Sequence, residues 1–240
     1  MLYLIGVGLC NEKSLTIEAL DAIKNCDEVF LENYTSILQC SKEALEKITG
    51  KRIMLANRKL VESHELIKKA KEKNIALLII GDVFSATTHI TLFLEAKKQN
   101  VEIRVMHNAS ILTAIGITGL ELYKFGRTAS IPFHETDYPI EVLKQNQQFG
   151  LHTLFLLDLD PGNNRFLTIA EACDYLIKKG ILPKTKALGC ARIGCFDHKI
   201  VYAELDKLRS VDFGKPPYCL VIPGKLHFVE EEMLSYYEIK

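Results

Sequence analysis

The sequence predicts an α/β protein of two domains, and three observations lead to this fold class. Short apolar runs alternate along the chain with amphipathic stretches of helical spacing. The clearest run, residues 75–80, contains only apolar residues, which is typical of a strand covered on both faces of a parallel sheet. The length of 240 residues, 48% of them hydrophobic, is sufficient for two small cores.

In the first half, strand and helix signals alternate regularly. Strands are predicted over residues 2–5, 29–31, 52–55, 75–80 and 101–106. Helices are predicted over residues 15–26, 41–49, 60–73 and 86–98, with another starting at Ser110. This alternation indicates parallel strands joined by crossover helices that cover both faces of the sheet.

The second half of the chain also alternates strand and helix signals, with longer segments between them, and there we expect a mixed sheet. Its predicted strands cover residues 128–132, 152–159, 187–192 and 218–222, and its predicted helices cover 168–179 and 227–237. Turn residues mark loops at 133–139 and 160–164. We place the domain boundary near Phe125–Gly126, which gives an N-terminal domain of residues 1–125 and a C-terminal domain of residues 126–240.

Charge and composition exclude several classes of protein. Lys and Arg total 30, as do Asp and Glu, so the chain lacks the basic surplus of a strong nucleic-acid-binding protein. No paired Cys or His motif has zinc-like spacing, so we expect no metal. The N-terminus begins directly with a strand instead of a signal peptide, and no apolar run approaches the ~20 residues of a membrane helix. We therefore expect a cytoplasmic protein without a membrane partner.

A glycine pair, Gly6 and Gly8, follows the first predicted strand. Glycines at such a position let the backbone turn tightly and approach a ligand. The dinucleotide fingerprint GxGxxG requires a third glycine where this chain has Asn11, which disfavours a nicotinamide oxidoreductase. By itself the pair fits a plain tight turn equally well.

Two polar segments indicate a ligand site, because each directly follows a predicted strand. The two strands are those predicted over residues 75–80 and 101–106. Gly81 and Asp82 open a segment with hydroxyls at Ser85, Thr87 and Thr88, and the second segment is His107-Asn108-Ala109-Ser110-Ile111. In open α/β sheets, ligands bind at the carboxyl ends of the strands. Asp82 can accept hydrogen bonds from a ribose or an amine, or it can simply cap the following helix.

Arg192 follows a strand prediction of the second half. Its guanidinium can pair with a carboxylate of a ligand, or it can hold Asp158 by a bidentate contact. The spacing alone favours neither interpretation.

Longer strings of residues resemble the diphthine synthase family of methyltransferases, in the same order from the N-terminus to about His227. The matching strings are residues 3–9, 31–36, 81–89, 107–111, 116–126, 152–158, 191–192 and 223–227. Two features depart from the family pattern: Val83 replaces a proline after the Gly-Asp pair, and an insertion common in eukaryotic members after residue 158 is missing, as in archaeal-type members.

The resemblance implies a fold of two α/β domains of the tetrapyrrole methylase type, a homodimer, and S-adenosylmethionine held in a cleft between the domains. Carried over by position, the cofactor contacts would be Leu9, Asp82, Ser85, Ser110, Ile111, Leu157, Ile193 and Tyr218. Several of these residues are apolar, which suits adenine and the methionine chain.

The implied reaction is methylation of the amino group of 3-carboxy-3-aminopropyl histidine on elongation factor 2, which forms diphthine in diphthamide biosynthesis. Archaeal-type members add three methyl groups, and eukaryotic members add a fourth as a methyl ester. Because alignment of the amine with the methyl group can supply much of the barrier reduction, we predict no indispensable catalytic base.

Two further interpretations remain open. The nearest is another class III methyltransferase of the same fold that acts on a tetrapyrrole or corrin precursor or on ribosomal RNA. The other is a non-enzymatic nucleotide-binding or interaction protein, because fold alone does not establish function.

Overall fold

The computed structural model describes residues 1–239, which divide into two compact units. The first unit is Met1–Leu112, and the second begins at Thr113. The division therefore falls earlier in the chain than the boundary that we placed at Phe125–Gly126.

The first unit contains a five-stranded, entirely parallel sheet. Its strands are β1 (Leu2–Gly6), β2 (Glu28–Glu32), β3 (Ile53–Ala56), β4 (Ile75–Ile79) and β5 (Ile103–Met106). They lie in the order β3-β2-β4-β1-β5, with Leu4 paired to Leu77 and Leu31 to Leu78. All carboxyl ends of these strands consequently lie along one edge of the sheet.

Helices cover both faces of this sheet, as the sequence predicted. The helices of the unit are α1 (Ile17–Lys24), α2 (Lys42–Thr49), α3 (Arg58–Glu62), α4 (Glu65–Ala70) and α5 (Ile90–Lys98). The short α6 (Ile111–Ala114) contains the point at which the two units divide. One core packs Leu4 and Leu77 against α3, α4 and α5. The other packs Ile5 and Leu78 against α1 and α2, so neighbouring strand residues serve opposite faces.

Two helices of the first unit differ from the sequence prediction. The helix predicted over 60–73 is divided into α3 and α4, because the chain is extended at Ser63, which ends α3. The helix predicted from residue 86 begins only at Ile90. Ala86 has a positive φ of 58°, a conformation that a helix cannot contain, so residues 81–89 form an ordered turn instead.

The second unit contains a mixed five-stranded sheet and a short hairpin. The sheet has the order β11-β10-β12-β7-β6, in which only β6 and β7 are parallel neighbours. Its strands are β6 (Ala129–Ile131), β7 (Thr153–Leu157), β10 (Lys186–Ala191), β11 (Lys199–Glu204) and β12 (Tyr218–Ile222), and the hairpin is β8 (Leu159–Asp160) with β9 (Arg165–Phe166). The predicted fold class is thus confirmed for both halves.

Three helices of the second unit pack on this sheet around one core: α7 (Tyr138–Gln148), α8 (Ile169–Lys178) and α9 (Leu205–Leu208). The unit also contains α10 (Phe228–Ser235), which is outside this core. Phe155 of β7 and Leu176 of α8 are fully buried within this core. Thr168 and Glu171 form a reciprocal capping box that fixes the start of α8.

The segment after Leu112 belongs to the second unit because its partners lie near the end of the chain. The Tyr237 hydroxyl donates to the carbonyl of Ile117, and the amide of Glu121 donates to Oε1 of Glu230. Gly119 lies against the Met233 side chain so closely that a Cβ there would stand 2.1 Å from Cγ of Met233. These contacts attach residues 113–125 to α10.

Candidate functional site

Two glycine turns meet in a junction at the edge of the first sheet where the carboxyl ends of its strands lie. The amide of Gly8 donates to the carbonyl of Gly81 at 3.1 Å, and the amide of Gly81 donates back to Gly8 at 2.9 Å. Both glycines have positive φ, 77° and 82°, which L side chains rarely adopt. A Cβ on Gly6 would lie 2.7 Å from the Gly81 carbonyl oxygen, so the close approach depends on glycine.

Asn108, which follows β5, links this junction to the next strand end. Its Nδ2 donates to the carbonyl of Gly6 at 2.9 Å and to the carbonyl of Ser14 at 3.0 Å. Asn11, which stands where the dinucleotide fingerprint has its third glycine, instead caps a short turn by accepting from the amide of Lys13. The structure therefore brings together the three strand-end segments that the sequence singled out in this unit.

Asp82 is the anionic group at this edge, and its carboxylate already accepts four hydrogen bonds. Oδ1 accepts from the Phe84 amide and the Ser85 hydroxyl, both at 3.1 Å. Oδ2 accepts from His107 Nδ1 at 2.8 Å and from the Asn108 amide at 3.2 Å. Burial acts to raise the pKa of Asp82, but these hydrogen bonds outweigh it and lower the pKa below its usual value. The ionised Asp82 thus connects the loop after β4 with the loop after β5 through hydrogen bonds.

The other predicted contacts of the first unit surround Asp82 with different chemistry. Leu9 and Ile111 are half-buried apolar side chains, and Ser85 is half-buried with its hydroxyl on Asp82. Ser110 is buried, and its Oγ accepts from the Leu112 amide at 2.9 Å. A Cβ on Gly81 would make ordinary van der Waals contacts with Leu9 and the carbonyl of Ala109, at 3.7 and 3.9 Å, so it is the positive φ that favours glycine there.

The three predicted contacts of the second unit lie along one edge of its own sheet. Leu157 ends β7, Tyr218 begins the neighbouring β12, and Ile193 follows shortly after β10. The registers pair Leu156 with Cys219 and Ala191 with Tyr218, which brings these three residues side by side. Leu157 and Ile193 are buried, and Tyr218 is half-buried with its hydroxyl donating to the carbonyl of Gly214. This edge is therefore mainly apolar.

Arg192 does not hold Asp158, which was one of the two roles that the sequence suggested for it. Its guanidinium donates from Nε to Asp197 at 2.7 Å and also to the carbonyls of Asp197, Phe213 and Lys215. Asp158 instead accepts from the amides of Phe133 and Leu159. Bidentate pairing of Arg192 with Asp158 is thus wrong, because the nearer Asp197 occupies the guanidinium. Arg192 stabilises the loops at this sheet edge.

Sequence reasoning missed one buried polar cluster at the carboxyl-end edge of the first sheet. Glu32 ends β2, is fully buried, and accepts a hydrogen bond from the Thr35 hydroxyl through Oε1. Its Oε2 lies 3.3 Å from Nε2 of His89, without hydrogen-bond geometry. The Tyr34 hydroxyl lies 3.5 Å from the same Nε2. The sequence signal that could have indicated this cluster is Glu32, a charged residue at the end of the apolar run 29–31.

A second buried cluster, in the second unit, has all of its hydrogen bonds made. His152 Nε2 lies 2.8 Å from Glu230 Oε1, and His152 Nδ1 accepts from the Gly224 amide at 2.9 Å. Lys124 donates to Glu230 Oε2. These bonds serve the fold of the unit, since each polar atom is already occupied by protein.

Residues 1–239 contain neither a candidate metal centre nor a candidate membrane-spanning helix. No cluster of three or more His, Cys, Asp or Glu side chains in this range could hold a metal ion. Within the same range, no helix has both the length and the apolar character needed to cross a bilayer.

Comparison with known proteins identifies the family to which these two sheets belong. Residues 1–209 match the family model of tetrapyrrole (corrin/porphyrin) methylases. The chain is 43% identical over 252 residues to the diphthine synthase of Methanocaldococcus jannaschii, covering 98% of each protein. It is 42% identical over 274 residues to a protein of Arabidopsis thaliana named probable diphthine methyl ester synthase, covering 100% of this chain and 99% of that protein.

Similarity at the level of structure is equally extensive. A crystal structure of diphthine synthase superposes with a TM-score of 0.94 at 38% identity, covering 99% of this chain and 96% of the other. Val83, which stands where the family has a proline, does not disturb the fold, since its side chain is fully buried in the core that contains Leu4 and Leu77. The chain is therefore a methyltransferase that belongs to the tetrapyrrole methylase family and, within it, to the diphthine synthases.

Proposed function

We propose that this protein transfers methyl groups from S-adenosylmethionine to the amino group of 3-carboxy-3-aminopropyl histidine on elongation factor 2, forming diphthine. The observation that carries the proposal is similarity over nearly the full length of the chain to a diphthine synthase, at 43% identity. Elongation factor 2 is thus the proposed protein partner, and the proposed reaction is a step of diphthamide biosynthesis.

The residues at the two sheet edges fit S-adenosylmethionine. Leu9 and Ile111 offer half-buried apolar surface beyond the carboxyl ends of the first sheet's strands, which suits an adenine or a methionine chain. Because Asp82 already accepts four hydrogen bonds, it would hold these loops in place, and His107 is the donor that a ligand hydroxyl could replace.

We assign the remaining cofactor contacts to Ser85, Ser110, Leu157, Ile193 and Tyr218. The mainly apolar edge formed by the last three would exclude water from the reacting groups. When bound, the sulfonium supplies an activated methyl group. The contribution of the chain is then to orient the substrate amine, and positioning alone is worth up to about 7–11 kcal/mol in well-aligned systems.

We further propose that the protein is a cytoplasmic homodimer. Large apolar side chains of the second unit, including Phe149 and Phe228, are 79% and 69% exposed, and a second copy would cover such surfaces. Light scattering coupled to size exclusion measures the mass directly. A monomeric mass at micromolar concentration would contradict the dimer.

Three methyl groups is the number that we propose, as in archaeal-type members. The nearly equal identities to a diphthine synthase and to a protein named as a methyl ester synthase mean that overall identity does not decide this number. The short connection between β7 and α8 favours trimethylation.

Intact mass spectrometry tests the proposal. The protein is incubated with S-adenosylmethionine and elongation factor 2 that carries the unmethylated intermediate. We expect the substrate mass to rise by three methyl increments, and a fourth increment would indicate the ester. Unchanged mass of the factor, together with methylation of a corrin precursor or of ribosomal RNA, would favour the alternative within the same family.

A further inference from the structure

The cluster of Glu32, Tyr34 and His89 contains polar atoms that the protein itself leaves unsatisfied. Glu32 and His89 are 0% and 2% exposed. In the part of the chain that the structure describes, Oε2 of Glu32 and Nδ1 of His89 have no hydrogen-bond partner. Burial of an unsatisfied carboxylate or imidazole atom typically costs a few kcal/mol, so folding alone does not explain this arrangement.

The position of the cluster connects it with the carboxyl-end edge of the first sheet. Glu32 ends β2, which is the direct neighbour of β4, and Gly81 and Asp82 follow β4. Residues 81–89 carry Asp82 near one end and His89 at the other. The cluster thus shares one short segment with the residues that we assign to the cofactor.

The geometry around Nε2 of His89 shows what the cluster lacks. Nε2 lies 3.3 Å from Oε2 of Glu32 and 3.5 Å from the Tyr34 hydroxyl. Nε2 does not satisfy Oε2 of Glu32, because their contact lacks hydrogen-bond geometry. A proton arriving on Nε2 would place an imidazolium 3.3 Å from that carboxylate oxygen, an ion pair that stabilises both charges.

Tyr34 is the member of the cluster through which a proton can enter. Its side chain is half-buried, whereas Glu32 and His89 are closed to solvent. Burial, followed by the charges of Glu32 and Glu62, raises the pKa of Tyr34 well above its usual value, against the opposing effect of Arg58. The phenol therefore remains protonated and can pass a proton only by accepting one while donating its own.

We propose that Glu32 and His89 hold, by way of Tyr34, the proton that the substrate ammonium must lose before each methyl transfer. The N–H bond of the ammonium breaks and leaves its electron pair on nitrogen. The Tyr34 oxygen accepts this proton and gives its own to Nε2 of His89, where Glu32 balances the charge. Water takes the proton back when the product leaves. This inference rests on the proposed amine methylation.

The other ionisable groups around the cluster do not replace this path. Arg58 lies over the Tyr34 ring at 5.2 Å from its centroid, and Glu62 acts on Tyr34 through its charge. Asp82 and His107 are paired with each other. Glu32 and His89 act through Tyr34 and are positioning residues, so their loss should slow the reaction most where the amine is most protonated.

The test compares pH–rate profiles of Glu32→Gln, His89→Gln and Tyr34→Phe with the wild-type protein, using elongation factor 2 that carries the unmethylated intermediate. We expect each variant to lose at least about tenfold in rate at pH 6.5 and to approach the wild-type rate at pH 9, where solvent deprotonates the amine. Partly methylated factor should accumulate at the lower pH. Glu28→Gln, at the opposite end of β2, is the matched control and should keep the wild-type profile.

Affinity for S-adenosylhomocysteine, measured by calorimetry, separates a proton-holding role from a structural one. We expect this affinity to stay within about twofold of wild type in all three variants, since the cofactor residues are untouched. A rate loss of equal size at every pH, or wild-type profiles in the variants, would overturn the inference while leaving the proposed function intact. A wild-type protein that adds no mass to the factor would instead overturn the proposed function itself, and the inference with it.

Discussion

His152 and Glu230 form a buried pair that joins distant parts of the second unit: Nε2 of His152 lies 2.8 Å from Oε1 of Glu230, and neither residue has any solvent exposure. The Glu230 carboxylate also accepts from the amides of Glu121 and His227 and from the Lys124 ammonium. One side chain thus holds residues 113–125, β7 and α10 together.

Replacement of Glu230 by Gln should destabilise the protein strongly. An amide cannot accept all four of these hydrogen bonds and leaves Lys124 without its partner, and breaking a buried charged pair typically costs about 3–5 kcal/mol. Urea unfolding measures the free energy of unfolding directly. Glu231→Gln, an exposed change on the same helix, is the control and should cost less than about 0.5 kcal/mol. Equal stability of the two variants would contradict this role.

The free energy of unfolding should decrease as the pH is lowered, over a range set by the pKa values of His152 and Glu230. Burial acts to raise the pKa of Glu230, but its hydrogen bonds lower the pKa to about 2 from an ordinary 4.5. Burial lowers the pKa of His152, against the raising effect of Glu230. Both folded-state pKa values lie below the unfolded ones, so this stability is present at neutral pH and is lost on acidification.

For Glu230 the loss occurs between about pH 4.5 and 2 and totals roughly 3 kcal/mol. Urea titrations at pH 7, 4.5 and 3 should show a steeper decline for wild type than for Glu230→Gln. Parallel declines of the two proteins would show that the titration of another group dominates.

The pattern of strands was predictable from sequence, whereas this pair was not. Apolar periodicity identifies β1 and β4 because the residues that decide it are neighbours in the chain. His152 and Glu230 are 78 positions apart, and their pairing depends on how β7 and α10 pack. The pairing of Glu32 with His89 likewise follows from the ordered turn at 81–89, where local spacing predicted a helix.

Among the elements of the second unit that the sequence did not predict, α7 and β11 were missed for local reasons. Pro139 in the first turn of α7 was interpreted as a loop signal, although proline is compatible with the first positions of a helix. Strand β11 is a sheet edge with Lys199 and Glu204 at its ends, so its apolar run is short. Neither α7 nor β11 contains a predicted cofactor contact.

Replacement of Gly6 by Ala should disrupt the glycine junction. The new Cβ would lie 2.7 Å from the Gly81 carbonyl oxygen and 2.9 Å from Cβ of Asn108, so backbone must move, at a cost of about 3 kcal/mol. Gly50→Ala is the matched control: its φ is 68° but nothing lies within 4 Å of the new Cβ, so only about 1 kcal/mol of backbone strain is expected. Equal losses in urea unfolding would contradict the steric explanation.

Replacement of Asp82 by Asn should weaken binding of S-adenosylhomocysteine at least about tenfold, equivalent to roughly 1.4 kcal/mol. The amide nitrogen cannot accept hydrogen bonds, so the loops that Asp82 connects would separate. Asp27→Asn provides the control, since Asp27 accepts from the Asn74 amide at the opposite edge of the same sheet. Calorimetric titration measures both affinities, and wild-type affinity in Asp82→Asn would exclude the assignment.

Replacement of His107 by Ala should reduce turnover without abolishing it. His107 donates to Asp82, yet its side chain is 68% exposed, and the remaining three hydrogen bonds still hold the carboxylate. Single-turnover methylation and cofactor affinity should be measured on the same preparation. A variant with intact affinity and no turnover would identify an indispensable base, against the expectation that the reaction works by positioning.

The attachment of residues 113–125 to α10 determines how this protein can be dissected into fragments. Division of the chain after residue 125 would separate Glu121 and Lys124 from Glu230. The C-terminal fragment would then contain the Glu230 carboxylate without two of its hydrogen-bond donors. A fragment that begins at Thr113 keeps those donors with their acceptor. Expression of the halves separately, or exchange of one half between relatives, should therefore divide the chain near Leu112, outside α6, and not at the boundary predicted at Phe125–Gly126.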